Sequence, residues 1–419
     1  MTCGALPPAQ VTPTGEDICT GTQASRQRLV NVLVIALGAA IPLSVAAANV
    51  LIALLALAWL SGGRVTSAWR KALAHPVARA ALILLAVLAV GTLYGHGTLA
   101  ARWNMMGKYL DLMLLVPLSQ AFADTRVRCA ARRALLGAIA LTLVLSWLIA
   151  LGVLPDNGAL FKAVPGDASV FKDHITQSIL MAFAAFVWMS DAVRRGPRWR
   201  RVAGAVLAAA AVIDILFFVE GRTGYVVLMM LALYLFVGRF GLRGALIATL
   251  ALVTLGFVAY HEGPSFRLRV DQAVRQVERW RPDRAHKSPV GLRLDFYENS
   301  LRIIRRHPLI GVGTGGFVGV YAHEAARFHM ETTHNPHNQF LLVMIETGLP
   351  GLVALIALFT IQWRAARSLP RRARMLARGL LCTLVIGCLL NSLLIDFTER
   401  LFYVFGTALF SITPEDGGQ

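Results

Sequence analysis

Apolar runs of roughly 15 to 20 residues recur along this chain from Leu29 to near Ile412, each about long enough to cross a hydrocarbon layer roughly 30 Å thick. The composition agrees. The 419 residues are 56% hydrophobic and only 15% charged, with a mean hydropathy of +0.61, which is more apolar surface than one soluble core could bury. The expected fold is an all-α, polytopic membrane protein.

The net charge of +18 arises from 41 Lys+Arg against 23 Asp+Glu. In a soluble chain such a balance would suggest nucleic acid. Here the basic residues cluster in short loops after alternate pairs of apolar runs, as the positive-inside rule requires, so no nucleic-acid partner is implied. Clusters at Arg64/Arg70/Lys71/Arg79, Arg126/Arg128/Arg132/Arg133, Arg194/Arg195/Arg198/Arg200/Arg201, Arg239/Arg243 and Arg364/Arg367/Arg371/Arg372/Arg374 all fall on one side, the cytoplasmic one. Parity then divides the chain into a cytoplasmic tail at 1–27, nine spans within 28–260, a large external loop at 261–336, spans ten to twelve within 337–412, and a cytoplasmic tail at 413–419. About twelve transmembrane helices are expected, with both termini inside. The run from Asn338 to Trp363 is interrupted by Gly348-Leu349-Pro350-Gly351, and parity allows it one net crossing. Of the cysteines, Cys3 and Cys19 lie in the polar leader, Cys129 among arginines, and Cys382 and Cys388 in one apolar run. No disulfide or zinc spacing emerges.

The external loop carries twelve Lys/Arg. Loops this long cross regardless of charge, so the excess calls for an anionic partner rather than a different topology. Two amphipathic helices fit within it. Phe266, Val270, Ala273, Val274 and Val277 recur at helical spacing after Ser265, a plausible N-cap, with Arg267, Arg269, Arg275 and Arg279 on the flanks. Leu294, Tyr297, Leu301 and Ile304 repeat the pattern before His307-Pro308. Either could lie on the membrane surface, its arginines facing headgroups. Gly311-Val312-Gly313-Thr314-Gly315-Gly316 formally satisfies G-x-G-x-x-G but lacks a βαβ context, and reads as a flexible turn. No sequence support exists for metal chemistry or serine hydrolysis: H-E-x-x-H, D-x-D and G-x-S-x-G are all absent.

Two constellations stand out. Thr332 to Gln339 is dense in polar groups just before an apolar helix. Asn335 suits the N-cap and Pro336 the first helical position, which would put His337 in the first turn beside free N–H groups that favour a neutral ring. His337 and His334 could act as a base or phosphate contact, as metal ligands, or as polar caps at a membrane surface. Arg222, in Glu220-Gly221-Arg222-Thr223-Gly224, sits at the external edge of two spans, where a charge is costly and by default functional. Its plain alternative is a salt bridge to Glu220 or Asp214. Lys108, His174 and Arg400, also near external span ends, and Arg269 are weaker candidates of the same kind.

The ordered segments Gly221-Arg222-Thr223-Gly224, Arg293 with Phe296 and Tyr297, His307 to Gly313, His334-Asn335-Pro336-His337-Asn338 and Glu346 to Gly351 resemble the motifs of the O-antigen ligase and polymerase superfamily. The resemblance runs from about Arg222 to Gly351; the first 200 residues are similar only in hydropathy. It implies a GT-C-like glycosyltransferase of a bacterial inner membrane that acts on the periplasmic face without a metal or other cofactor. Its substrates would be undecaprenyl diphosphate-linked O-antigen and lipid A-core oligosaccharide, met among membrane lipids. The resemblance further implies that His337 is catalytic and that Arg222 and Arg293 meet the diphosphate, with His334 and Asn338 as further candidates for it. A polymerase of the same superfamily is the nearest alternative, although only one external loop is long here. A lipid or anion transporter is more remote, since no internal repeat is present.

Overall fold

The computed structural model describes residues 15–61, 65–158, 161–194, 196–282 and 284–411. Among these every regular element is helical, apart from an isolated bridge between Val164 and Asp167. Eight helices are long and apolar enough to cross a membrane: α1 (Gly15–Leu43), α4 (Pro76–Tyr94), α7 (Thr125–Ala150), α8 (His174–Ala192), α9 (Arg198–Ile213, continued by a π turn over Asp214–Phe218), α10 (Arg222–Glu262), α14 (Gln339–Ala365) and α15 (Arg371–Leu390). α10 counts twice, because Gly241 leaves helical geometry (φ 60°) between two stretches of about 20 residues, each spanning roughly 30 Å. The 16-residue α2 (Val45–Leu60) is a shorter apolar helix, and the pair α5 (Leu99–Tyr109) and α6 (Leu115–Ala121) and the C-terminal α16 (Phe397–Ser411) complete the bundle. The chain is a multi-pass all-α membrane protein. α3 (Val65–Ala74) is a short amphipathic helix between α2 and α4.

The burial pattern follows from the solvent. α8 is enclosed on nearly all sides, from Thr176 to Val187, and forms the centre of the bundle. The second half of α10 is the opposite case: Leu242, Leu246, Leu250, Val253 and Phe257 are all exposed. Such a stripe is tolerable only against lipid, where side chains need no core and the helix satisfies its own backbone.

Several boundaries move relative to expectation. α1 reaches back to Gly15, inside the segment read as a tail, while residues 1–14 and 412–419 lie outside the described residues. The external segment holds three helices rather than two: α11 (Pro264–Arg279), α12 (Pro289–Arg306) and α13 (Phe317–Arg327). α11 is capped by Gly263 with Pro264 at its first position, not by Ser265. α12 ends at His307 as anticipated, and α13 is joined to it by Arg306 pairing with the buried carboxylate of Glu324.

The glycine-rich run is not a flexible turn. Val312 N–H and Gly313 N–H donate to the carbonyls of Ile345 and Glu346, Thr314 N–H donates to Gly91, and Gly315 N–H donates to the Glu346 carboxylate at 2.9 Å. The loop is thereby wedged between the end of α4 and the upper part of α14, and its N–H groups are spent inside the protein instead of forming an anion nest. It seats on a break in α14 at Gly348, whose φ of 64° belongs to a region that L-residues avoid. A Cβ there would meet the Leu309 carbonyl oxygen at 2.3 Å. α14 therefore makes one broken passage.

Candidate active site

Four elements converge at one end of the bundle. α10 contributes Arg222 in its first turn, and it can lie close against α8 because Gly221 offers no side chain: a Cβ there would stand 2.2 Å from Ser178 Oγ. α12 contributes Arg293, Phe296 and Tyr297, which share one face by their three- and four-residue spacing. The segment before α14 contributes His337. The chain leaving α15 contributes Asn391.

The local fold around His337 differs from the sequence-based expectation. Asn338, not Asn335, caps α14, accepting from the N–H groups of Phe340 and Leu341 at 3.0 and 3.1 Å. Asn335 instead accepts from His337 N–H at 2.8 Å, closing a side-chain turn that throws His337 into the left-handed region at φ 54°. His337 thus stands before the helix, not in its first turn. Pro336 misled the expectation because it suits a first helical position, but two asparagines compete for the cap and only the second lies next to the apolar run.

The imidazole is gripped on three sides. Its ring stacks on Phe296 with centroids 5.8 Å apart and planes inclined by 15°. Its backbone carbonyl accepts from the Tyr297 hydroxyl at 3.1 Å. Nδ1 lies 3.3 Å from Asn391 Oδ1, and Asn391 Nδ2 donates to Thr223 Oγ1 at 3.0 Å. With its amide nitrogen engaged there, Asn391 turns its oxygen to the imidazole, so Nδ1 carries the proton and Nε2 keeps a lone pair. Burial, and secondarily the Arg293 charge, hold the His337 pKa below its ordinary 6.5, although the Asn391 contact pulls the other way. Desolvation and a neighbouring cation, instead of a helix end, favour the neutral ring here.

Arg222 and Arg293 are near enough for their charges to oppose each other. Burial first, and then the Arg222 charge, press the pKa of Arg293 below its ordinary value. Neither forms an ion pair with a carboxylate among the described residues. Glu220, the expected alternative partner of Arg222, is taken: Arg269 holds it at 3.2 Å and also donates to the carbonyl of Val219 and the hydroxyl of Tyr225. Two half-buried guanidiniums with no carboxylate partner among the described residues stand beside His337, an arrangement suited to holding an anion.

The remaining candidates separate. Asn338 has its oxygen on the α14 N–H groups and donates through Nδ2 to the Leu389 carbonyl at 3.0 Å, so it braces the site. His334 is exposed. Arg269 serves as the latch just described. Arg400 is buried in an ion pair with Asp111 at 2.7 Å, and His174 lies 3.5 Å from Asp167. Lys108 is within electrostatic reach of Glu346. Asn391 escaped the sequence reading, its one signal being a polar Asn391-Ser392 pair directly after an apolar helix. Among the described residues no three His, Cys, Asp or Glu side chains are grouped to hold a metal ion.

Residues 207–356 match the family model described as O-antigen ligase. This stretch is similar to the O-antigen ligase family. The match extends from α9 into α14 and so contains Arg222, Arg293, His334, His337 and Asn338, whereas Asn391 lies beyond it. An uncharacterized protein of Haemophilus influenzae is 29% identical over 118 residues, a stretch covering 26% of this chain and 29% of the relative. The match over residues 207–356 supports a likeness to the O-antigen ligase and polymerase superfamily, and the chain spans less than a third of the relative's length.

Proposed function

We propose that this protein is a glycosyltransferase that ligates O-antigen polysaccharide from undecaprenyl diphosphate onto lipid A-core oligosaccharide at the periplasmic face of a bacterial inner membrane. The observation that carries the reading is the pair Arg222 and Arg293, with no carboxylate partner among the described residues, beside the oriented imidazole of His337. A sugar on a diphosphate already has a competent leaving group, so two tasks remain. The first is to hold the charge that grows on the phosphate oxygens as the sugar–oxygen bond breaks. Arginine does this through its planar fork while keeping its proton. The second is to remove the proton of the attacking core hydroxyl, and Nε2 of His337 supplies the lone pair. The new bond forms at the anomeric carbon from the side opposite the departing diphosphate, which inverts that centre. The proton ends on His337 and the electron pair on the diphosphate.

The family match supports the ligase and polymerase superfamily as a whole, and a deletion strain tests the ligase reading. Loss of a ligase leaves the finished polymer on its carrier and the lipid A-core bare. Loss of a polymerase leaves core capped with single units, an outcome that would refute the ligase reading. Since arginines supply the counter-charge here, purified protein should transfer equally well in EDTA and in magnesium; activity abolished by EDTA and restored by magnesium would remove Arg222 and Arg293 from that role.

A further inference from the structure

α8, the first half of α10 and α15 each have one end at the candidate active site. Their other ends surround a second cavity of about 720 Å³, against about 330 Å³ or less for the other described cavities apart from it. The separation is roughly 25 to 30 Å, judged from helices of about 20 residues. Six arginines line it: Arg194, Arg239, Arg371, Arg372, Arg374 and Arg378. Asp191 answers two of them, at 2.6 Å from Arg372 and 3.8 Å from Arg194. The other four face no carboxylate among the described residues. Arg371 and Arg374 donate to backbone carbonyls, Arg378 donates to the Trp363 carbonyl and lies over the Trp363 ring, and the Nε atoms of Arg372 and Arg378 are buried without a hydrogen-bond partner. α15 also starts here, from Pro370 with no side-chain cap, adding unsatisfied N–H groups and the positive end of a helix.

The positive-inside rule accounts for arginines in loops that extend into water. It does not account for their convergence from three helices on one hollow. Charges of one sign at such density repel one another and favour a further anion among them. Apart from Ser190 and Gly238, the rest of the wall is Val193, Leu235, Met375 and the ring of Tyr234, which suits a ligand with a hydrocarbon side. We infer that this cavity holds the phosphate headgroup of an anionic phospholipid from the leaflet opposite the candidate active site, its glycerol and upper acyl chains lying on Tyr234, Leu235 and Met375. Basic pockets between transmembrane helices are suited to such headgroups.

Delipidated full-length protein in neutral detergent provides the test, with phosphatidylglycerol, phosphatidylcholine and inorganic phosphate as probes. Native mass spectrometry should show one retained phosphatidylglycerol at concentrations where phosphatidylcholine is lost, together with a higher melting temperature. The double variant Arg239→Gln/Arg371→Gln, which leaves the Asp191 pairs intact, should weaken retention at least tenfold, and Arg239→Lys/Arg371→Lys should restore part of it. A photoactivatable phosphatidylglycerol on the wild-type protein should label peptides containing Tyr234 or Met375, a readout that does not depend on any variant folding. Equal retention of the two lipids, undiminished retention by the glutamine variant, or labelling elsewhere would overturn the proposal. So would inorganic phosphate alone reproducing the thermal shift and displacing the lipid.

Discussion

Nε2 of His337 is available as a base only while the ring is neutral, and Nδ1 must face Asn391 for the lone pair to point away from it. The ring's pKa lies below the ordinary 6.5, so the acid limb of the transfer rate, where the base becomes protonated, should have its midpoint below 6.5. Arg293→Gln removes a nearby positive charge that disfavours protonation, so the limb should move to higher pH as the rate falls; a limb that stays in place would separate Arg293 from His337. The backbone at His337, φ 54°, suggests the cleanest substitution. Asparagine tolerates this left-handed region, so His337→Asn should fold with a melting temperature close to wild type and yet lose about 10²- to 10⁴-fold in transfer, the usual worth of a general base. Near-normal transfer by folded His337→Asn would end the catalytic assignment. Arg222→Lys and Arg293→Lys keep the charge but lose the fork. Each should cost about 10- to 100-fold, as expected for one charge-assisted hydrogen bond worth about 1.5–3 kcal/mol, and full activity in both would make the arginines structural.

At the scale of elements, the break in α14 supports the site, because the loop wedged against it leads from α12 into α13, which runs on to the His337 segment. Gly348→Ala combines a backbone conformation costing about 1–3 kcal/mol for an L-residue with a Cβ 2.3 Å from the Leu309 carbonyl oxygen. It should lower the melting temperature by several degrees and reduce transfer although no group at His337 is touched; an unchanged melting curve would show that the break is not held by this contact. The interruption at Gly348-Leu349-Pro350-Gly351 was readable in the sequence, as were most spans, since a lipid solvent demands long apolar runs and leaves them conspicuous. α13 was not readable. Its buried Phe317, Tyr321 and Ala325 follow a glycine run whose order comes from Gly91 and Glu346, both far along the chain. The same limit applies at the site. Arg222 stands out because a charge is costly at a span's edge and His337 because its segment is dense in polar groups, whereas Arg293 was marked only by the family resemblance; the Asn391 contact joins residues 54 apart and the left-handed turn depends on which asparagine takes the cap.

Across the whole molecule, one structural fact and one charge pattern bear on orientation. α9 starts at Arg198 and α15 at Arg371, both at the end of the bundle away from His337, while the connection between α11 and α12, which includes Arg284, lies at the end that carries it. The arginine clusters concentrate at the first end, and translocation of short loops is opposed by such clusters. That end should therefore be cytoplasmic and the His337 end periplasmic, where a lipid-linked polymer and lipid A-core can meet. Single cysteines placed at Arg198, Arg284 and Arg371, after replacement of the five native cysteines, test this with an impermeant thiol reagent on intact spheroplasts. Arg284→Cys should label at once, and Arg198→Cys and Arg371→Cys only after the membrane is opened. Labelling of Arg371→Cys in intact spheroplasts would mean that α14 turns back at Gly348 instead of completing its passage. Labelling of both Arg198→Cys and Arg371→Cys, with Arg284→Cys protected, would invert the whole bundle and place His337 where no periplasmic acceptor could reach it.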